Sequence, residues 1–149
     1  MKVYSRRARR KAKMYLWVVQ AVLAGIFIMA GAIKLLLPLD QLAPKNPWVT
    51  QVPEWLPSLI GLAELAGGLG LILPSVIRIE PRLSVYAAFS LAFMMLLAIA
   101  FHAYRREFAA IPVNVVLLLA AVYVGWSRLK KYPIEPKGYS NPFADPLNR

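Results

Sequence analysis

Four polar side chains interrupt the apolar stretches of this sequence, and together they could do chemistry: Lys34, Glu64, His102 and Asn114. A carboxylate in an apolar stretch is costly to bury unless it has a partner or a function. Glu64 could stay ionised beside Lys34, or it could exchange a proton with His102. Asn114 can donate and accept hydrogen bonds at once. Such a set suits the carbonyl or hydroxyl group of an otherwise apolar ligand, for example a quinone ring.

Each of these residues also has a purely structural interpretation. Lys34 and Glu64 could form an ion pair that only locks two helices together, and Lys34 could extend to the membrane surface. His102 and Asn114 could hydrogen-bond to the backbone. Intramembrane carboxylates are usually functional, so Glu64 has the strongest claim to a role. We predict a ligand-binding site formed by all four residues.

The composition is that of a membrane protein. Of 149 residues, 59% are hydrophobic and 17% are charged, whereas soluble domains carry about 25% charged residues. The absence of cysteine excludes disulfides and iron–sulfur ligation, and a single histidine excludes multi-histidine metal sites. We therefore expect no bound metal and no covalently attached cofactor. With no phosphate-binding glycine loop followed by lysine, autonomous catalysis is not expected either.

Four long apolar stretches must position the polar residues. They predict an all-α membrane protein, a four-transmembrane-helix bundle with spans at about 14–37, 58–77, 83–103 and 109–127. A basic segment, 1–13, precedes the bundle. The first apolar stretch is too long for a typical signal-peptide core, so we expect it to be retained as a span. A basic, proline-rich tail, 128–149, follows the bundle and is expected to be extended.

The basic residues predict the orientation of the bundle. Fourteen of the eighteen Lys and Arg residues lie in the two termini and in the turn at 78–82. The positive-inside rule then places both termini in the cytoplasm. The net charge of +11 is interpreted as facing anionic lipid beside the spans, and nucleic acid is not an expected partner.

Proline positions predict where helices are interrupted. Five prolines between residues 37 and 57 predict a loop on the bilayer surface, with a short helical turn near Trp48. Trp48 and Trp55 suit the membrane interface. The second span is predicted to stop at Pro74, and tilt, local thinning of the bilayer or extra residues up to Ile77 must make up its length.

This topology brings the four polar residues to the same half of the membrane, the outer one. Steps of three or four residues also predict one inward-facing stripe on each span. The stripes are Gln20–Ala24–Phe27–Gly31–Lys34, Ile60–Glu64–Gly67–Leu71, Ser84–Ala88–Leu91–Met95–Ala98–His102 and Asn114–Leu118–Ala121–Gly125. Gln20 lies in the other half and is interpreted as a helix–helix contact, and Met94 and Met95 as packing residues.

The sequence resembles the DoxX family of small four-span bacterial membrane proteins. The resemblance rests on Gly-Ala-Ile-Lys-Leu at 31–35 and on Gly-Leu-Ala-Glu-Leu-Ala-Gly-Gly-Leu-Gly-Leu-Ile-Leu-Pro at 61–74. His102 and Asn114 also fit. The resemblance covers about residues 15–125. It implies a link to membrane redox systems, including a thiosulfate:quinone oxidoreductase, and a fold similar to four-span proteins that bind sterols and sigma ligands.

These observations lead to one expected function and two alternatives. The expected function is a bacterial inner-membrane subunit that binds a quinone or lipid and serves a redox complex with other membrane proteins. Glu64 and His102 would handle the polar end of the ligand and its protons, Lys34 would set the charge of Glu64, and Asn114 would orient the ligand. The alternatives are a non-catalytic accessory subunit held by its basic tail, and a stand-alone binder of apolar molecules.

Overall fold

A computed structural model describes residues 6–138 of the chain, and this segment folds into helices and turns without a strand. Its α-helices are α1 (Arg6–Leu36), α2 (Leu39–Leu42), α3 (Trp55–Ile77), α4 (Leu83–Tyr104) and α5 (Ile111–Trp126). Two 3₁₀ turns, Pro47–Thr50 and Phe108–Ala110, lie between the longer helices, and a π-helical turn, Ser127–Lys131, follows α5.

Within residues 6–138, four segments are long and apolar enough to cross a membrane, which confirms the predicted number of spans. They are α1, α3, α4 and the continuous stretch Phe108–Lys131. The 22 residues of α4 extend over about 33 Å, close to the ~30 Å of a bilayer's hydrocarbon core. Leu62, Phe93 and Leu119 on the outer faces are each more than half exposed, as expected for side chains that contact lipid.

Two helix ends follow from the local sequence: α1 starts before its predicted span, and α3 ends at Ile77, the last residue of its predicted span. α1 begins well before residue 14, because the lysines and arginines of the basic segment are good helix formers. α3 does not stop at Pro74 but continues to Ile77. Proline removes only one amide donor from the last turns of this helix. The helix ends at Arg78, whose φ of +58° lies in the left-handed region.

The four spans form a ring in which α1 packs most extensively on α3, and α4 on α5, while α3–α4 and α1–α5 contacts close the ring. The predicted stripe residues are all buried or half-buried, which confirms that these faces point inward. Along the axis the core consists mainly of Leu16, Leu23, Phe27, Leu71, Ala88, Leu91, Met95, Ala121 and Val124.

The two ends of the bundle differ in what they carry. We call one the connector end, because it carries the segment between α1 and α3 (residues 37–54, the connector) and the α4–α5 turn. Arg105 in that turn donates a 2.8 Å hydrogen bond to Gln51 of the connector. The other end, the basic end, carries the start of α1, the α3–α4 turn and residues 127–138. Here the amide of Lys137 donates to the carbonyl of Arg78 at 3.0 Å.

Candidate ligand-binding site

The site begins where α1 and α3 make backbone contact, at Gly31 and Gly61. Small residues at such a contact let two helices approach closely. Lys34 and Glu64 each follow one of these glycines by three residues, so both lie on the same face, next to the contact. The close approach of the two helices therefore brings an ammonium group and a carboxylate together.

Lys34 and Glu64 form an ion pair across this contact. Nζ of Lys34 lies 2.6 Å from Oε2 of Glu64, and the side chains are only 15% and 8% exposed, respectively. The ammonium group compensates a carboxylate that would otherwise be costly to bury. Oε1 of Glu64 accepts no hydrogen bond from residues 6–138, so one carboxylate oxygen is available to another molecule.

His102 pairs with Glu107 and not with Glu64. The direct contact between His102 and Glu64 that a proton exchange would use is therefore not formed. Nδ1 of His102 lies 2.7 Å from Oε2 of Glu107. Hydrogen bonds from Arg105 and His102 lower the pKa of Glu107, so this carboxylate is ionised and can only accept. Nδ1 therefore donates, and Nε2 has no partner within the described segment.

Asn114 lies near the start of α5 and uses its amide nitrogen locally. Its Nδ2 donates to the carbonyl of Ala110 one turn earlier, at 2.9 Å. This is the backbone contact that the structural alternative predicted. Its Oδ1 makes no hydrogen bond to residues 6–138. A donor group can therefore still approach the acceptor side of this amide.

The four predicted residues line one cavity of about 720 Å³ at the connector end. A cavity of this size can hold a drug-sized molecule. Most of the wall is apolar. Each span contributes one polar residue to it, and Lys45, Asn46 and Glu107 from the connector and the α4–α5 turn complete the polar lining. The principal apolar lining residues are Trp48, Leu56, Ile60, Met94, Met95, Leu97, Ala98, Phe101 and Val113. The structure thus combines an apolar wall with a small number of convergent polar groups.

Trp48 covers part of this cavity and does not face lipid. It is 9% exposed and makes an edge-to-face contact with Phe101, the ring centroids lying 6.0 Å apart. The predicted helical turn near Trp48 is present as Pro47–Thr50. Trp55, in contrast, is 63% exposed, as expected for a residue at the membrane interface. Trp48, with its buried neighbours Leu42 and Val49, therefore forms a roof over this part of the bundle.

Sequence reasoning missed Glu107 and its neighbours in the α4–α5 turn. Arg105 donates to Glu107 at 2.8 Å, and its guanidinium group lies 5.3 Å from the centre of the Phe101 ring. Arg106 takes a left-handed φ of +59°, which turns the chain so that Glu107 comes back to His102. The sequence signal was a carboxylate five residues after a histidine, but only the turn brings the two together.

Gln20 and the paired methionines lie as predicted. Nε2 of Gln20 donates to the carbonyl of Leu71 at 2.6 Å, so this side chain is a helix–helix contact between α1 and α3. Met95 belongs to the buried core and Met94 packs against it, and both also line the cavity.

Within residues 6–138, no group of three His, Cys, Asp or Glu side chains is arranged to hold a metal ion.

Comparison with known families decides the classification. The model of the DoxX-like family matches residues 18–124, a segment that contains α3, α4, most of α1 and α5, and the four residues Lys34, Glu64, His102 and Asn114. The chain belongs to the DoxX-like family. Together with the four apolar helices, this membership makes the DoxX-like chain a multi-pass membrane protein. No curated protein and no solved structure matches it in the other two comparisons.

Proposed function

We propose that this DoxX-like protein binds a quinone, or a lipid with a comparable polar end, in the cavity at the connector end. The observation that carries the proposal is the lining of that cavity: one polar side chain from each span on a mainly apolar wall. Quinones and amphiphilic lipids share this combination of a polar group and an apolar body. A ligand of this kind reaches an intramembrane cavity from the bilayer.

The polar residues would take complementary roles toward such a ligand. Lys34 pairs with Oε2 of Glu64, and Oε1 of Glu64 accepts a hydrogen bond from a ligand hydroxyl. Nε2 of His102 interacts with a ligand carbonyl or hydroxyl, since Nδ1 is occupied by Glu107. Oδ1 of Asn114 offers a second acceptor that orients the ring. In a redox complex, these residues would bind the quinone and hold its protons while a partner subunit exchanges its electrons.

Quinone binding by the full chain in lipid nanodiscs tests the proposal. Replacing Glu64 with Gln keeps the shape of the side chain but removes the charged acceptor. Because hydrogen bonds to charged groups are stronger than those to neutral ones, the affinity for quinone should fall about tenfold. Glu54→Gln is the matched control, because Glu54 is an exposed carboxylate of the connector outside the cavity lining. Equal affinity in wild type and both variants would defeat the proposal.

Mass spectrometry of molecules that copurify with the protein identifies the ligand class. Gentle extraction from native membranes should retain a quinone or an amphiphilic lipid in wild type and less of it in the Glu64→Gln variant. A sterol-like or other neutral apolar molecule retained equally by both would favour the stand-alone binder. Membrane redox subunits in the same extract would support a role within a complex.

We further propose that the protein lies in the bacterial inner membrane with both termini in the cytoplasm. The support is the distribution of charge, since the basic end carries most of the Lys and Arg residues and the connector end only four. Reporter fusions test this orientation. A green fluorescent protein fused after Arg149 should fluoresce, whereas alkaline phosphatase inserted in the connector should be active. The reverse pattern would invert the topology.

A further inference from the structure

A second cavity, of about 390 Å³, lies at the basic end, away from the site described above. Its volume corresponds to roughly ten water molecules. Four separate parts of the chain line it: α1, the turn after α3, the π-helical turn and the segment that follows. The lining residues are Lys13, Trp17, Arg78, Arg128, Tyr132, Pro133, Ile134 and Glu135.

Arg128 is fixed at this cavity by contacts with α1. Only 6% of the residue is exposed, its Nε donates to Oε1 of Gln20 at 2.7 Å, and its guanidinium group lies 4.4 Å from the centre of the Trp17 ring. Gln20 is held in turn by Ser75, whose Oγ accepts a 2.9 Å hydrogen bond from Nε2 of Gln20. Oγ of Ser75 also hydrogen-bonds to Oγ of Ser84 at 2.7 Å. The guanidinium group is therefore pre-oriented by a polar network that connects all four spans.

The hydrogen bonding of Arg128 is incomplete. Its Nη2 is fully buried and has no hydrogen-bond partner among residues 6–138. A buried cationic donor without a partner is costly, and native proteins usually satisfy such a group with water, an ion or a ligand. Three cationic side chains and one carboxylate, Glu135, line the cavity, so its net charge favours an anion.

We propose that this cavity binds a phosphate group, either on the headgroup of an anionic phospholipid or as a soluble phosphate. A guanidinium group is a charged hydrogen-bond donor to phosphate oxygens, and Lys13 and Arg78 add charge at the more exposed side. The cavity lies where the spans end, at the height of lipid headgroups. The hydrogen bond between Lys137 and Arg78 holds the segment 132–135 beside it.

Native mass spectrometry of the full chain tests the lipid source. Phosphatidylglycerol and phosphatidylcholine are offered at equal concentration, and wild type should retain the anionic lipid preferentially. Arg78→Gln and Lys13→Gln remove exposed cations and leave the buried Arg128 network intact. Each should lower retention about fivefold, the effect of one basic residue near a lipid surface. Arg82→Gln is the matched control, because Arg82 is an exposed cation of the same turn that does not line the cavity.

Inorganic phosphate tests the soluble source. Phosphate added to the protein in phosphatidylcholine nanodiscs should raise Tm in wild type and not in Arg78→Gln if the natural ligand is a soluble phosphate. Either a lipid preference or a phosphate effect that depends on Arg78 supports the site and tells the two sources apart. The proposal is overturned if neither is seen, or if Arg82→Gln reduces retention as much as Arg78→Gln, because the attraction would then be diffuse.

Discussion

The carbonyl oxygen of Gly61 lies 2.5 Å from the position that a Cβ atom on Gly31 would take. The amide nitrogen of Leu65 would lie only 2.6 Å from the same atom. Both are backbone atoms of α3, which cannot move aside as a flexible side chain could. Position 31 must therefore be glycine for α1 and α3 to keep their spacing, and the Lys34–Glu64 pair depends on that spacing.

Gly31→Ala should lower the free energy of unfolding by about 1–3 kcal/mol, because the added methyl group forces the two backbones apart. Gly25→Ala is the control, since no atom lies within 4 Å of a Cβ at that position. This second change should stabilise α1 by about 0.5–1 kcal/mol. Unfolding in detergent measures both, and a loss at Gly25 equal to that at Gly31 would contradict the packing argument.

The ion pair between Lys34 and Glu64 should appear as a coupling energy. Lys34→Met leaves the buried carboxylate of Glu64 without its partner, and combining it with Glu64→Gln should recover part of the loss. We expect a coupling of about 1–3 kcal/mol in a double-mutant cycle measured by unfolding. A cycle between Lys34→Met and Glu54→Gln should be additive, because Glu54 lies in the connector. Additive behaviour of the first cycle would show that the pair does not contribute.

Trp48→Ala should open the roof of the cavity. Removing the ring eliminates its contact with Phe101, so the dissociation rate of a bound quinone should rise and stability should fall by about 3 kcal/mol. Trp55→Ala is the matched control, because Trp55 is largely exposed and should change stability by no more than about 0.5 kcal/mol. Stopped-flow dissociation and thermal unfolding measure the two effects. Equal dissociation rates in both variants would contradict the assignment of a roof.

The α4–α5 turn should make stability depend on pH in acid. The pKa of Glu107 is lowered by hydrogen bonds from Arg105 and His102, so the unfolded chain takes up this proton first as the pH falls. The resulting stability is present above pH 4.5, the ordinary pKa of the group, and is lost as the pH falls through the lowered value. The difference in Tm between wild type and Glu107→Gln should therefore shrink toward zero on acidification. A difference that grows in acid would contradict this sign.

Periodicity and charge were sufficient for much of this architecture. The spans needed only runs of apolar residues, and the inward stripes needed only a helical period of 3.6 residues, so both follow from local sequence. The height of Lys34, Glu64, His102 and Asn114 followed from counting residues along alternating spans. The second span was expected to stop at Pro74, but α3 continues past it, because a proline near the end of a helix removes one hydrogen bond without ending the helix.

Some side-chain partners could be proposed from the sequence, such as Lys34 for Glu64, but others could not. The sequence placed His102 and Glu64 at similar heights. The left-handed backbone of Arg106 instead brings Glu107 into hydrogen-bonding distance of His102. Trp48 could not be recognised as a roof, since its contact with Phe101 joins residues far apart in the chain. Arg128 likewise looked like one more basic residue of the tail until Gln20 and Trp17 were found beside it.

The amino-acid sequence determined that this chain makes four spans, which faces of them point inward and which polar residues share a level, because these properties depend on spacing along single helices. Only the tertiary structure decided which donor meets which acceptor among the described residues, and where the cavities at the connector end and at the basic end lie. Those features depend on backbone approach at Gly31 and on turns between helices, and the energies involved come from contacts between residues that are distant in the sequence.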